Sequence, residues 1–144
     1  MIQKQPISAP HLLNEAYDYD KPATFVRGTK VGMGPFHIVV LSGTASIDEH
    51  GKSIHKGNLA SQVERTYQNI TALLQAAGMG WSDVIKLTVY LRDIDRDYEE
   101  FCILRKTFFD SLSLPFYPAS TCVEAKLCRP DLLVEMETWA VQDA

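Results

Sequence analysis

The sequence predicts an α+β fold, a single mostly antiparallel or mixed sheet with two helices on one face. Three observations carry that prediction. Two segments repeat apolar residues at the helical period, five shorter runs are strand-like and bounded by turn chemistry, and the order is β-β-α-β-α-β-β. At 144 residues the chain has the size of one domain around one core. Residues 1–22 are expected to form an arm, because Pro6, Pro10 and Pro22 and the patch Tyr17-Asp18-Tyr19-Asp20 leave no sustained period. The domain itself is expected over 23–144.

Thr24 to Val31 and Phe36 to Ala45 read as two strands joined through Gly32-Met33-Gly34-Pro35, which suggests a hairpin. Within the second, His37-Ile38-Val39-Val40-Leu41 reads as buried on both faces. It ends in Ser42-Gly43-Thr44-Ala45-Ser46, small residues that let other groups approach the backbone closely. Asn58 is a good N-cap for a helix in which Leu59, Val63, Tyr67, Ile70, Leu73, Leu74 and Ala77 recur at helical spacing until Gly78. Ile85, Leu87, Val89 and Leu91 then alternate with Lys86, Thr88, Tyr90 and Arg92, the period of a strand with one oily face. A second helix is expected from near Asp95 or Asp97 to about Leu112, with Tyr98, Phe101, Leu104, Phe108 and Leu112 as its apolar stripe. Two final strands, about Pro118 to Cys128 and Leu132 to Val141, are joined across Arg129-Pro130-Asp131. Helices on one face leave the other to be buried by self-association.

Composition narrows the function. With 46% hydrophobic and 22% charged residues and no run near the roughly 18 apolar residues of a membrane span, a soluble protein without membrane contact is expected. The start, Met1-Ile2-Gln3-Lys4-Gln5-Pro6, has no secretory pattern, so a cytoplasmic location is expected. Cys102, Cys122 and Cys128 are odd in number and lack CxxC spacing, which speaks against a disulfide frame or a zinc site. No metal or cofactor is implied. A net charge of -4 and scattered Lys and Arg make nucleic acid a poor partner.

The chemistry concentrates near the C-terminus. Strand parity places Glu135 and Glu137 on the face of Leu133, Trp139 and Val141, in otherwise oily sequence. A carboxyl group in an apolar cleft has its charged form disfavoured, which suits Glu135 to acid-base work near neutrality; the plainer alternative is an ion pair across a subunit interface. Glu137 reads as its structural partner. Ser42 and Gly43 offer a hydroxyl and a backbone N–H for binding, since without a neighbouring His the Ser is a poor nucleophile. Cys122 and Cys128 share parity with Ser120 and Glu124, so they either face a cleft together or are buried structural thiols. Arg92 and Arg129 either supply positive charge to a site or pair with Asp93 and Asp131. His37, His50 and His55 show no triad or ligand spacing, and Trp139 reads as packing.

From about Ala23 to Val141 the chain resembles the Rid (YjgF) family, also known as L-PSP endoribonuclease-like. The resemblance rests on Phe25-Val26-Arg27-Gly28, the Leu-Ser-Gly that closes Ile38 to Gly43, and the helix Gln62 to Gly78 ending Leu-Leu-Gln-Ala-Ala-Gly. It continues through Asp83 to Leu91, Pro118-Ala119-Ser120-Thr121-Cys122-Val123-Glu124 and Leu133-Val134-Glu135-Met136-Glu137. It implies a chorismate-mutase-like fold, a homotrimer and three ligand clefts between subunits. It also implies chemistry of the kind that hydrolyses enamines and imines to 2-keto acids and ammonia. In such members an arginine after the Pro-Ala clamps the substrate carboxylate and a last-strand glutamate positions water. Glu135 matches the glutamate, whereas Ser120 stands in the arginine's place, and a hydroxyl does not reproduce a bidentate guanidinium contact. The resemblance places the family's other cleft positions on Phe25, Ser42, Gly43, Cys102, Cys122 and Pro130.

A narrower likeness, in Ser42-Gly43-Thr44-Ala45-Ser46-Ile47 and Cys128-Arg129-Pro130-Asp131-Leu132-Leu133-Val134-Glu135, is to chorismatases, and implies Cys128 and Glu135 as site residues. Three readings follow: a hydrolase or lyase on a small carboxylate-bearing substrate, a chorismate-converting enzyme, and a non-catalytic metabolite-binding module.

Overall fold

Six strands, β1 (Gln3–Ile7), β2 (Gly28–Met33), β3 (Phe36–Thr44), β4 (Val84–Leu91), β5 (Ala119–Glu124) and β6 (Val134–Asp143), and two helices, α1 (Leu59–Ala76) and α2 (Ile94–Asp110), make up the computed structural model, which describes Met1 through Ala144. The sheet order is β1-β2-β3-β6-β4-β5. Every neighbour pair is antiparallel except β4 and β5, which are parallel and joined by the crossover through α2. Both helices lie on one face, where Tyr67, Ile70, Leu73, Leu74 and Phe101 meet Val39, Leu41, Leu87, Val89, Val134 and Met136 in one core.

The helix ends follow from local chemistry. Asn58 Oδ1 accepts from the Ser61 N–H at 3.0 Å, a cap worth about 1 kcal/mol. At the other end Gly78 sits at φ +76, a left-handed conformation that suits glycine. There the Gly78 N–H reaches the Gln75 carbonyl and the Met79 N–H reaches that of Leu74, closing α1 in a Schellman motif. α2 begins slightly earlier than its sequence suggested, because Asp93 Oδ1 caps the Arg96 N–H at 3.0 Å. Its buried line runs through Phe101 and Phe109, while Tyr98 is exposed and Leu104, Phe108 and Leu112 are half-buried.

Three features differ from expectation. Residues 1–22, anticipated as an arm, begin with β1, an additional strand whose Pro6 is tolerated because β1 pairs with β2 alone. Ile7 at its end and Ala9, Leu13 and Ala16 beyond it are buried, the first three in the main core, so this segment belongs to the same body as 23–144. Four of the five residues of β1 are exposed, which is why no period marked it. Second, a register shift between Val84 and Lys86 buries Val84 and turns Ile85 outward, so the alternation inferred from Ile85 holds only from Leu87 onward. Third, the final strands are shorter at their facing ends than expected, and 125–133 forms a connection that packs Leu127 and Leu132 with Ala45 and Ile47 in a small satellite core.

Candidate functional site

The site begins with an irregularity in the β3–β6 ladder. Leu41 pairs with Thr138 and Thr44 with Met136, so Ser42-Gly43 forms a bulge opposite Glu137, and the side chain of Glu135, one residue beyond Met136, reaches back to Gly43. Bulges re-aim side chains, and this one makes room for a carboxyl group: a Cβ on Gly43 would lie 2.4 Å from Glu135 Oε1. Ser42 ties the bulge to the incoming chain, its hydroxyl donating to the Val26 carbonyl at 2.7 Å and its N–H to the Arg27 carbonyl at 2.9 Å. Both donors of Ser42 are therefore engaged within the fold.

Around this point lies a cleft of about 710 Å³ lined by Tyr19, Phe25 and Arg27 from the chain before β2, Ser42, Gly43, Ala45 and Ile47 from the end of β3, and His50, Gly51 and Lys52 from the following loop. Cys128, Arg129, Leu132 and Glu135 close it from the other side. Tyr19 is the hinge of this arrangement. The Arg27 guanidinium stands 5.4 Å from its ring centre and donates to its hydroxyl, while that of Arg129 stands 4.9 Å away. Arg27 is itself buried and also donates to the Asn14 carbonyl at 2.9 Å. Arg129 donates to the Gly51 carbonyl at 2.8 Å, and Gly51, at φ +78, leaves space that a side chain would take from the Tyr19 ring.

Glu135 has its pKa pushed up, chiefly by burial and secondly by the charge of Glu137, with Arg27 opposing. Glu137 accepts a hydrogen bond from the Tyr90 hydroxyl, which raises the Tyr90 pKa. The two carboxylates thus differ in setting: Glu137 has a dedicated donor, whereas Glu135 faces the cleft beside Gly43. A carboxyl group so placed holds or delivers a proton nearer neutrality than an ordinary glutamate. No three His, Cys, Asp or Glu side chains converge to hold a metal ion.

Of the residues singled out from sequence, Phe25, Ser42, Gly43, Cys128 and Glu135 line this one cleft. Pro130 sits exposed in the adjoining turn, where the Leu132 N–H returns to the Arg129 carbonyl. Cys102, Ser120 and Cys122 lie elsewhere in the chain. Ser120 and Cys122 register with Leu87 and Val89, so they face the helix side of β5, next to α2. Cys122 and Cys128 therefore do not share a cleft within the chain, and burial pushes the Cys122 thiol up, away from thiolate chemistry. Arg92 is consumed in structure, donating to the carbonyls of Leu132 at 2.7 Å, Arg129 at 2.6 Å and Leu127 at 3.3 Å. Sequence reasoning passed over Tyr19, Arg27, His50 and Lys52 as site residues. The Tyr-Asp-Tyr-Asp patch was the visible signal for the first of them.

A mixed six-stranded sheet with both helices on one face is also the architecture of solved YjgF-type proteins. E. coli TdcF with bound serine is similar at a TM-score of 0.78 and 25% identity, over 96% of this chain and 98% of that one. The YjgF gene product of E. coli gives 0.75 and 25%, over 96% and 98%. In sequence, a RutC family protein of Pyrococcus abyssi is 31% identical over 119 residues, covering 83% of this chain and 87% of the relative. The 2-iminobutanoate/2-iminopropanoate deaminase of Salmonella typhimurium is 27% identical, over 82% and 87%. The family described as Endoribonuclease L-PSP matches residues 20–142. The chain belongs to that family, the Rid/YjgF proteins. No helix is long and apolar enough to cross a membrane.

Proposed function

We propose that the protein is a hydrolase- or lyase-type enzyme that acts on a small carboxylate-bearing metabolite, with Glu135 as the acid-base group, and that it works as a homotrimer. The observation that carries this reading is the seating of Glu135: a carboxyl group of raised pKa, fitted against the glycine of a bulge, on the wall of a cleft that also presents Arg27, Lys52 and Arg129. Some relatives are named as imine deaminases and a structural neighbour was solved with serine, an amino acid bearing a carboxylate; both favour a ligand of this class. The reaction differs from typical imine hydrolysis in its anchor, since Ser120 stands where the deaminase arginine is expected.

A chorismatase-like activity is the second reading. It is favoured by the meeting of Cys128, Arg129 and Glu135 with the Ser42–Ile47 segment in one cleft. A parallel assay of ammonia release from amino-acid-derived imines and of chorismate consumption, with wild type and Glu135→Gln, separates the readings. Turnover of either substrate that falls in the variant while binding persists supports catalysis by Glu135. Silence in both assays, with ligand binding retained, supports a non-catalytic binding module and defeats the enzymatic proposal.

A further inference from the structure

Arg105, on α2, stands apart from every other arginine of the chain. Arg27, Arg65 and Arg92 donate to backbone carbonyls, Arg96 forms a two-point pair with Asp97, and Arg129 holds the Gly51 carbonyl. Arg105 makes one hydrogen bond, from Nη1 to the Ser120 hydroxyl at 2.8 Å, and no ion pair. Of the five N–H donors a guanidinium carries, the remaining four have no partner in the fold. The group is positioned by packing as well as by that bond: it is half-buried and its Cζ lies 5.1 Å from the centre of the buried Phe101 ring. It lines a recess of about 580 Å³ with Tyr98, Ser120 and Cys122. A half-buried guanidinium that lies against a ring and is short of acceptors is set up to receive a planar anion.

We infer that Arg105, presented by α2 and steadied by Ser120, forms a carboxylate-binding subsite. The inference rests on the reading above that the ligand bears a carboxylate, and deepens it by naming the side chain that holds that group. The guanidinium is supplied from α2, and the Ser120 hydroxyl on β5 orients it by accepting from Nη1. The recess is also lined by Asp95, Glu99 and Arg96; the Arg96 charge is taken up by its two-point pair with Asp97, so the two free carboxylates oppose a dianion more than a monoanion. A monoanionic carboxylate therefore fits better than a phosphate.

The test is a titration of the full-length protein with sodium benzoate, benzamide and inorganic phosphate, followed by amide and arginine side-chain NMR. Benzoate is expected to shift Arg105 Nε, Ser120 and Cys122, with benzamide and phosphate at least tenfold weaker. Arg105→Met and Arg105→Gln, each checked for an unchanged melting temperature, are expected to weaken benzoate at least tenfold, whereas Glu135→Gln retains binding at these residues. Benzoate affinity unchanged in a folded Arg105 variant overturns the subsite whatever Glu135 does, as does equal affinity for benzamide. Loss of turnover in Glu135→Gln together with intact benzoate binding in Arg105→Met would leave the catalytic proposal standing and remove only this one.

Discussion

Glu135 shows how one residue's setting decides both chemistry and stability. Its folded-state pKa is raised by burial first and by Glu137 second. A carboxyl group whose pKa is higher folded than unfolded contributes stability that is fully present below the unfolded value and is lost as pH rises through the folded value. Glutamine carries no such charge. Glu135→Gln is therefore expected to melt higher than wild type at pH 7, with the difference shrinking to nothing as pH falls below the ordinary glutamate range. Thermal melts between pH 4 and 8 check this, and a variant that melts lower at pH 7 would show that Glu135 is held by an ion pair instead. Gly43 is the complementary residue. The added Cβ of Gly43→Ala would displace the carboxyl end of Glu135, a movable group, so turnover is expected to fall by about a hundredfold with little change in melting temperature. Glu135 was legible from sequence because parity put it in an oily strand. The bulge that seats it was not, since nothing in Ser42-Gly43 says which partner residue it opposes.

At the scale of elements, α1 does more than cover the sheet. Its fully buried Gln62 donates from Nε2 to the carbonyls of Asp131 at 2.9 Å and His55 at 3.2 Å, and its Oε1 accepts from the Leu133 N–H at 2.8 Å. Asn69, two helical turns further on, holds the carbonyls of Ala45 and Ile47 at 2.9 Å each. The helix thus fixes both loops that wall the cleft. Gln62→Leu would leave three backbone groups without their partner, and a loss of about 3 kcal/mol is expected in urea unfolding, together with weaker ligand binding. A loss under about 0.5 kcal/mol would mean that the 125–133 connection is held by Arg92 alone. The helices and the strand from Leu87 were readable because periodicity and caps are local signals. Local sequence also contained Arg105, one helical turn after Phe101 and Cys102, but its role depends on β5, a strand fifteen residues away in sequence whose register no local pattern sets. β1 was missed for the opposite reason: an edge strand with exposed side chains needs no hydrophobic alternation, only a neighbour to pair with.

For the molecule as a whole, the sheet face away from the helices is the one left uncovered within a single chain. Trp139 is 45% exposed there, in register with Val40 on β3 and Lys86 on β4, and Val123 on β5 is 41% exposed. Glu135 belongs to this open face, while Arg105 lies on the helix side of the sheet at its β5 edge. The sheet therefore stands between the proposed acid-base group and the proposed carboxylate anchor of the same chain. The two can serve one ligand only if a second copy brings its own Arg105 to the first copy's Glu135, which makes self-association a condition of joint action rather than a means of hiding apolar surface alone. A charge placed at the centre of the open face opposes such packing, because a lysine buried without a partner is strongly disfavoured. Wild type is accordingly expected to scatter light as three times the 16.2 kDa chain at micromolar concentration, and Trp139→Lys to shift toward one chain mass with turnover lost in step. The substitution lies outside both proposed sites, so activity that recovers on raising the variant's concentration would tie function to assembly. A fully active wild-type monomer would break the link between the two.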